Sequence, residues 1–191
     1  YEKHIFTPRF HFRWKITDDL IFRGAAGKGF RSANLIADNF GLLASSRDIK
    51  IDGKLGMEEA WNAGVNLSQT IKIWGDREMS IALDYYHTNF VNQVVVDYDK
   101  DANQVWFSNL DGKSYSNAAQ LDINIEPLEG FNISLAGRYN DVMTTYHGEL
   151  MQKPYVSKWK GLVVLSYTTK YDKWMFDLTT HFNGKQREPL N

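Results

Sequence analysis

The chain has 191 residues, and its 22 lysine and arginine residues nearly balance 23 aspartate and glutamate residues, giving a formal net charge of -1. This balance gives no electrostatic reason to expect nucleic acid as a partner. The absence of cysteine excludes disulfide frameworks, thiolate zinc sites and cysteine nucleophiles. No apolar run approaches the ~20 residues that a transmembrane helix needs, whereas aromatic residues are abundant at 14%.

Apolar and polar residues alternate with a period of two along much of the chain. The alternation covers residues 10–16, 61–73, 115–125, 131–139 and 174–182. In the second segment, Trp61 and Ile71 stand at odd positions, and Asn62 and Lys72 stand at even positions. This segment is longer than the ~5–6 residues of an ordinary globular strand and suits a tilted strand that crosses a membrane in ~9–11 residues. The pattern therefore predicts long strands with one lipid-facing side and one lumen-facing side.

The connections between the predicted strands are of two lengths. Short turns are predicted near residues 17–19, 75–78, 127–130 and 172–173, where Asp, Gly, Pro and charged residues favour tight reversals. Longer or less regular connections are predicted near residues 30–56, 99–103 and 141–154. Short turns at one end and long loops at the other are typical of outer-membrane barrels. The sequence thus predicts an all-β fold of roughly eight antiparallel up-and-down strands, part of a transmembrane β-barrel.

Three stretches carry a resemblance to a known family. Residues 20–32 contain a Gly-Phe-Arg element before a long loop, residues 54–55 with 58–64 resemble the return strand, and residues 109–131 resemble the next hairpin. Together they resemble the C-terminal barrel region of TonB-dependent receptors, particularly those of Bacteroidetes-type bacteria. Two elements depart from the family pattern, since Met57-Glu58 replaces a Pro-Glu pair and Ala118-Ala119-Gln120 replaces a Gly-x-Glu element.

The resemblance implies that residues 1–191 form a partial receptor barrel in the outer membrane of a Gram-negative bacterium. It implies periplasmic short turns, outer long loops, and partnership with outer-membrane lipid and with the TonB complex. The plug domain that reaches TonB is not found in this chain, which begins in mid-pattern at Tyr1 and is expected to be a fragment. The implied activity is energised import of a scarce solute such as an iron chelate, haem or a cobalamin.

Candidate solute ligands are few. Tyr86-His87 and Tyr146-His147 are the suggestive pairs, because Tyr and His side chains hold haem and iron. The five histidines show no metal-site spacing, and the alternating Asp97, Asp99 and Asp101 lack the Gly and Glu of a calcium loop. No catalytic frame, metal site or cofactor site is predicted, so enzymatic activity is not expected.

The outer loops at residues 31–54 and 141–154 are the favoured region for solute recognition, because connections on a rigid wall usually carry specificity. Polar side chains predicted to face the lumen are expected either to contact water inside the barrel or to contact a plug domain. They are Arg13, Lys15, Asn62, Asn66, Lys72, Asp122, Asn124 and Arg138. Two alternatives remain open at this stage: a small complete outer-membrane barrel with an adhesive or structural role, and a soluble β-sandwich binding module.

Overall fold

The computed structural model of the chain describes residues 5–189, apart from the side chain of Leu43. Within this range the elements in chain order are β1 (Arg9–Lys15), β2 (Leu20–Arg31), α1 (Leu35–Asp38), a 3-10 helix (Phe40–Ala44), β3 (Asp48–Ile51), β4 (Glu58–Lys72), β5 (Glu78–Asn92), β6 (Val94–Asp97), β7 (Gln104–Asn109), β8 (Ser114–Leu128), β9 (Phe131–Tyr146), β10 (Glu149–Gln152), β11 (Trp159–Thr168), a second 3-10 helix (Lys170–Asp172) and β12 (Met175–Asn183).

Eight long strands form one antiparallel meander in the order β1-β2-β4-β5-β8-β9-β11-β12, and β10 pairs with the far end of β9. This confirms the predicted all-β, up-and-down barrel wall. The sheet is not closed within the described residues, because β1 and β12 form its two edges. No second sheet covers the meander in this part of the chain, so the soluble β-sandwich considered as an alternative is not the fold.

The register aligns apolar residues into rows that run across the sheet. Leu67 pairs with Leu83, and Leu83 pairs with Leu121 on the next strand. These three side chains are 39%, 51% and 42% exposed, so no protein layer packs against them. We call this side of the meander the apolar face. An uncovered row of leucines in the middle of a sheet is the pattern of a surface that meets hydrocarbon.

The opposite side, which we call the polar face, is joined by side-chain hydrogen bonds. The guanidinium of Arg23 donates to Oδ1 of Asn66 at 2.8 Å, and Nδ2 of Asn66 donates to Oδ1 of Asp84 at 2.9 Å. These three residues are direct register partners on β2, β4 and β5. Because alternate residues of a strand point to opposite sides, the alternation in sequence places polar side chains on this face and apolar side chains on the other.

Four tight connections lie at one end of the meander, which we call the short-turn end. They join β1 to β2, β4 to β5, β8 to β9 and β11 to β12. Thr17 Oγ1 accepts from the backbone N–H groups of Asp19 and Leu20 in the first turn, and Glu126 Oε1 accepts from that of Gly130 in the third. Side chains of these two turns thus satisfy backbone donors within the turn, so that the strands reverse within a few residues.

The opposite end, which we call the loop end, is more ordered than the sequence predicts. Residues 30–56 contain α1, a 3-10 helix and β3, and residues 99–103 form only the turn between β6 and β7. Residues 141–154, expected to be irregular, contain the end of β9, a tight turn and β10. His147 and Gly148 in that turn have φ values of 50° and 82°, the left-handed pair that a two-residue hairpin turn requires.

Candidate functional site: the loop subdomain and its two cavities

The loop end carries a small folded unit made from residues 31–57 and 93–113, which we call the loop subdomain. Its three-stranded sheet has the order β3-β7-β6, with β3 parallel and β6 antiparallel to β7. Val105 and Phe107 of β7 are almost fully buried and pack with Val94 as the hydrophobic core cluster. The core of the described structure therefore lies in this subdomain and not in the meander.

Paired polar groups fix the subdomain to the meander. Arg31 and Glu58 are register partners at the ends of β2 and β4, and the guanidinium Nε of Arg31 donates to Glu58 Oε2 at 2.7 Å. This hydrogen bond raises the pKa of Arg31 above its ordinary value. Glu58 Oε1 also accepts from the backbone N–H of Val94 at 3.1 Å. One carboxylate thus links the first and second loops of the subdomain.

Asn109 closes the other side of the subdomain. Its Oδ1 accepts from the backbone N–H of Gly56 at 2.7 Å, and its Nδ2 donates to the carbonyl oxygen of Lys54 at 2.9 Å. The side-chain amide of Asn109 therefore satisfies backbone groups of the segment between β3 and β4, which is not part of a strand.

Two cavities flank β7, because successive residues of a strand point to opposite sides. On the side of Phe107, an apolar cavity of about 540 Å³ opens beside α1. Leu35, Leu42, Ile49 and Ile51 contribute to its lining. Its volume lies in the ~300–1,000 Å³ range of small-molecule sites.

On the side of Trp106, a polar cavity of about 250 Å³ lies between the subdomain and the β9–β10 hairpin. It is lined by Asp52, Val95, Asp97, Lys100, Trp106, Ser108, Asn109, Asp111, Thr145, Tyr146, His147 and Gly148. His147 Nε2 lies 2.8 Å from Asp97 Oδ2, and the ammonium of Lys100 lies 3.4 Å from the centre of the Trp106 ring. The cavity thus offers carboxylate, imidazole and aromatic groups within one small space.

Arg187 connects the chain beyond β12 to the same region. Its guanidinium donates two hydrogen bonds to Asp99, at 3.2 and 2.8 Å, and its Nε donates to the carbonyl oxygen of Gln152 at 2.6 Å. It also lies 5.5 Å from the centre of the Tyr146 ring. Tyr146 is only 3% exposed, and this burial raises the pKa of its hydroxyl to about 12.

The four residues singled out from the sequence separate into two unlike pairs. Tyr86 lies on the polar face, whereas His87 lies on the apolar face, where its Nδ1 is 2.7 Å from Asn117 Oδ1. Adjacent strand positions point to opposite sides, so these two cannot hold one ligand. Tyr146 and His147 both border the polar cavity.

The two favoured loops meet at this cavity as well, since Asp52 comes from residues 31–54 and His147 from residues 141–154. Sequence reasoning missed Trp106 and Lys100, which line the same space. For Trp106 the signal was the alternation of the apolar residues Val105 and Phe107, which indicates that Trp106 lies on the opposite side of a strand. No such pattern indicated Lys100.

Two negative findings concern residues 5–189. No group of three or more His, Asp or Glu side chains is placed to hold a metal ion there. None of the helices in this range is long and apolar enough to cross a membrane.

The meander has the dimensions of a membrane wall. Aromatic side chains lie on the apolar face near both ends of the meander. Towards the loop end, the ring centres of Tyr139 and Trp159 are 4.7 Å apart. Towards the short-turn end, the ring centres of Phe131 and Tyr167 are 6.5 Å apart. From Phe131 to Tyr139 the strand rises about 27 Å, or roughly 20 Å across a bilayer at the usual tilt. This is close to the ~25 Å apolar band of outer-membrane barrels.

A single-layer antiparallel sheet with an uncovered apolar belt, aromatic residues at both borders and a hydrogen-bonded polar face defines the wall of an outer-membrane β-barrel. The family model for the β-barrel of TonB-dependent receptor-like proteins matches residues 1–187, and the chain belongs to this family. It is therefore part of a transport receptor of the Gram-negative outer membrane, in a family that is not enzymatic. The narrower Bacteroidetes-type resemblance stays a prediction. A search of curated proteins found no match.

Proposed function

We propose that this chain forms part of the wall of an active importer that takes up a scarce large solute with energy supplied through TonB. The solute classes that the family resemblance implies are an iron chelate, haem and a cobalamin. The observation that supports binding at the loop end is the loop subdomain, with a cavity on each side of β7. The short-turn end has only tight reversals in the described residues.

The proposed orientation places the loop subdomain outside the cell and the four short turns in the periplasm. Outer-membrane barrels have short periplasmic turns and longer extracellular loops, which is the asymmetry of this meander. The polar cavity would then be the first recognition surface that a solute meets, with Asp97, Trp106 and His147 as its contacts. The proposed recognition surface therefore includes residues 95–111 in addition to residues 31–54 and 141–154, which the sequence favoured.

The proposal is tested in cells that express the full-length protein and lack other receptors for the three probes. Uptake of radiolabelled hemin, a ferric chelate and cyanocobalamin is measured with and without TonB. We expect uptake of one probe, lost in the strain without TonB. Uptake of a probe that is equal in both strains contradicts energised import, and uptake of none contradicts the proposed solute classes.

The location of the site is tested separately by a paired substitution, Asp97→Asn with Trp106→Ala. Because both side chains line the polar cavity, we expect the dissociation constant of the imported probe on intact cells to rise at least tenfold. A tenfold change corresponds to a loss of about 1.4 kcal/mol of binding free energy. Trp74→Ala at the short-turn end is the matched control and should bind normally. Equal binding by the cavity variant and the control contradicts recognition at this cavity.

A further inference from the structure

β3 is an edge strand of the loop subdomain, and its outer side is uncovered. Within residues 5–189 it is hydrogen-bonded to β7 and to no other strand. The backbone N–H groups of Asp48 and Asp52 each donate to a carbonyl oxygen on the β7 side, at 2.8 Å. Because alternate residues of a strand direct their backbone groups to the same side, those of Ile49 and Ile51 point away from β7. These backbone donors and acceptors form an open edge.

The side chains of the same two isoleucines border the apolar cavity. Ile49 and Ile51 are 44% and 54% exposed, and Ile51 is the register partner of the buried Phe107. Asn34 and Asn39 also border this cavity, but their side chains are hydrogen-bonded to the backbone of α1, at 3.2 and 3.0 Å. The cavity therefore offers mainly apolar contact to a ligand.

We propose that the open edge of β3 and the apolar cavity form one binding site for a short extended peptide, which joins the small sheet as a fourth strand. In this mode of recognition the main chain of the peptide hydrogen-bonds to a strand edge, and its alternate side chains enter pockets. The edge and the cavity wall belong here to the same residues, Ile49 and Ile51. A peptide paired with this edge therefore places every second side chain at the cavity.

The dimensions of the edge favour a short peptide over a folded partner protein. The strand Asp48–Ile51 has four residues, about 13 Å at ~3.3 Å per residue. Gly53, with φ of 67°, turns the chain away soon after the strand. The side chains of Asp48 and Lys50 lie on the other side of the small sheet from the cavity. The ligand class is thus a peptide of roughly four to six residues with apolar side chains at alternate positions and polar side chains between them.

The apolar cavity and the polar cavity lie on opposite sides of β7, so this proposal does not depend on the identity of the imported solute. The probe is a hexapeptide of alternating valine and threonine, with fluorescein at its amino end and an amide at its carboxyl end. Its binding to the full-length protein in lipid nanodiscs is followed by fluorescence anisotropy. We expect saturable binding. The absence of saturable binding would overturn the proposal.

A second peptide tests the contribution of the cavity. It carries aspartate in place of each valine, and we expect it to bind at least about tenfold more weakly, because a carboxylate loses its hydration in an apolar cavity. Equal binding of the valine and aspartate peptides would show that the cavity takes no part.

Pairing with the edge is tested by two further peptides, methylated on the backbone nitrogens of either the valines or the threonines. Only one side of an added strand faces β3, so only one of these two sets of N–H groups can donate to it. We expect one methylated peptide to bind at least about tenfold more weakly and the other to bind normally, because a methylated nitrogen has no hydrogen to donate. Equal binding of the two methylated peptides would contradict strand addition.

The same pairing is tested on the protein. Saturation with the valine–threonine peptide should slow hydrogen exchange at the backbone N–H groups of Ile49 and Ile51 and leave that of Lys50, which faces β7, unchanged. Ile49→Pro removes one donor from the open edge without removing a hydrogen bond to β7, and it should weaken peptide binding at least about tenfold. Ile49→Val keeps the donor and should bind normally.

Hydrogen exchange in β7 shows whether the Ile49→Pro protein has folded. If it has not, the two methylated peptides decide the question on the unaltered protein. Unchanged exchange at Ile49 and Ile51 in the saturated protein would overturn the proposal, and so would equal binding by the folded Ile49→Pro and Ile49→Val proteins.

Discussion

At the scale of single residues, the direction of each side chain decides what a strand can bind. Tyr86 and His87 are neighbours in sequence but lie on the polar and apolar faces. Tyr146 and His147 stay together because the chain leaves the strand at His147, where φ is 50°. Adjacent residues thus share a site only where the strand pattern ends.

Gly130 is a residue whose replacement should destabilise the short-turn end. Its φ is +75°, and a Cβ at this position would overlap the carbonyl oxygen of Thr168. We expect Gly130→Ala to lower the free energy of unfolding by about 1–3 kcal/mol. Urea unfolding in phospholipid vesicles measures this change. Gly137→Ala, on β9 just after this turn, has open space around it and should change the stability by less than about 0.5 kcal/mol. Equal effects of the two substitutions would rule out the steric explanation.

Tyr146 should make the loop subdomain sensitive to alkaline pH. Burial raises its pKa to about 12 from an ordinary value of 10.0. Because the folded pKa is the higher one, the stabilising contribution is complete below pH 10 and is lost as the pH rises towards 12. The lost free energy of unfolding approaches roughly 2.7 kcal/mol, because each unit of pKa difference between the folded and unfolded protein contributes about 1.36 kcal/mol.

The measurement is the stability of the loop subdomain between pH 9 and pH 12 in the native protein and in Tyr146→Phe, followed by hydrogen exchange. The difference between the two proteins isolates Tyr146, because Lys153, whose pKa is lowered by burial, is common to both. A parallel decline in both proteins would show that Tyr146 does not cause it.

At the scale of elements, long strands were easier to predict than the loop subdomain. The alternation of residues 61–73 and 115–125 identified β4 and β8 and assigned their faces, because one side meets lipid along the whole strand. The parallel pairing of β3 with β7 joins residues more than fifty positions apart. No local pattern specifies such a pairing, so residues 30–56 were predicted only as a loop.

The candidate site was partly predictable for the same reason. Asp52 and His147 lie in the two loops that the sequence favoured, and they reach the polar cavity. Trp106 could not be placed there without knowing that β7 is the central strand of the small sheet. The end of β9 was also missed, because a strand that extends beyond the membrane loses its lipid-facing side and with it the apolar alternation.

Phe107→Ala should unfold the loop subdomain and leave the meander intact. Phe107 is 1% exposed in the core cluster, and removing a buried Phe side chain typically costs about 3–5 kcal/mol. Hydrogen exchange should become fast in β6 and β7 and stay slow in β8 and β9. Ser108→Ala, on the other side of β7, is the control. Fast exchange throughout the meander would mean that the two units fold as one.

At the scale of the whole molecule, the separation of faces is the feature that makes this chain a membrane wall. The three leucines of the central row are uncovered, while the polar face forms a continuous hydrogen-bonded path through Arg23, Asn66 and Asp84. Hydrophobic burial here is supplied by lipid, which explains why the only hydrophobic core cluster found in residues 5–189 lies outside the meander.

Leu121→Arg should therefore be far more harmful than Asn124→Arg, although the positions are three residues apart on β8. An arginine on the lipid side of a barrel near the midplane costs about 2–4 kcal/mol, whereas the polar face accepts it. Unfolding in phospholipid vesicles measures both variants. Similar losses of stability for the two would contradict the assignment of the faces.

The outer backbone groups of β1 and β12 have one further consequence. Each of these strands is hydrogen-bonded on one side only within the described sheet. Hydrocarbon offers no substitute for the missing donors and acceptors, and each unsatisfied group there costs several kcal/mol. Insertion of this segment into a bilayer must therefore be coupled to the pairing of both edge strands, so that membrane entry and edge pairing form a single step.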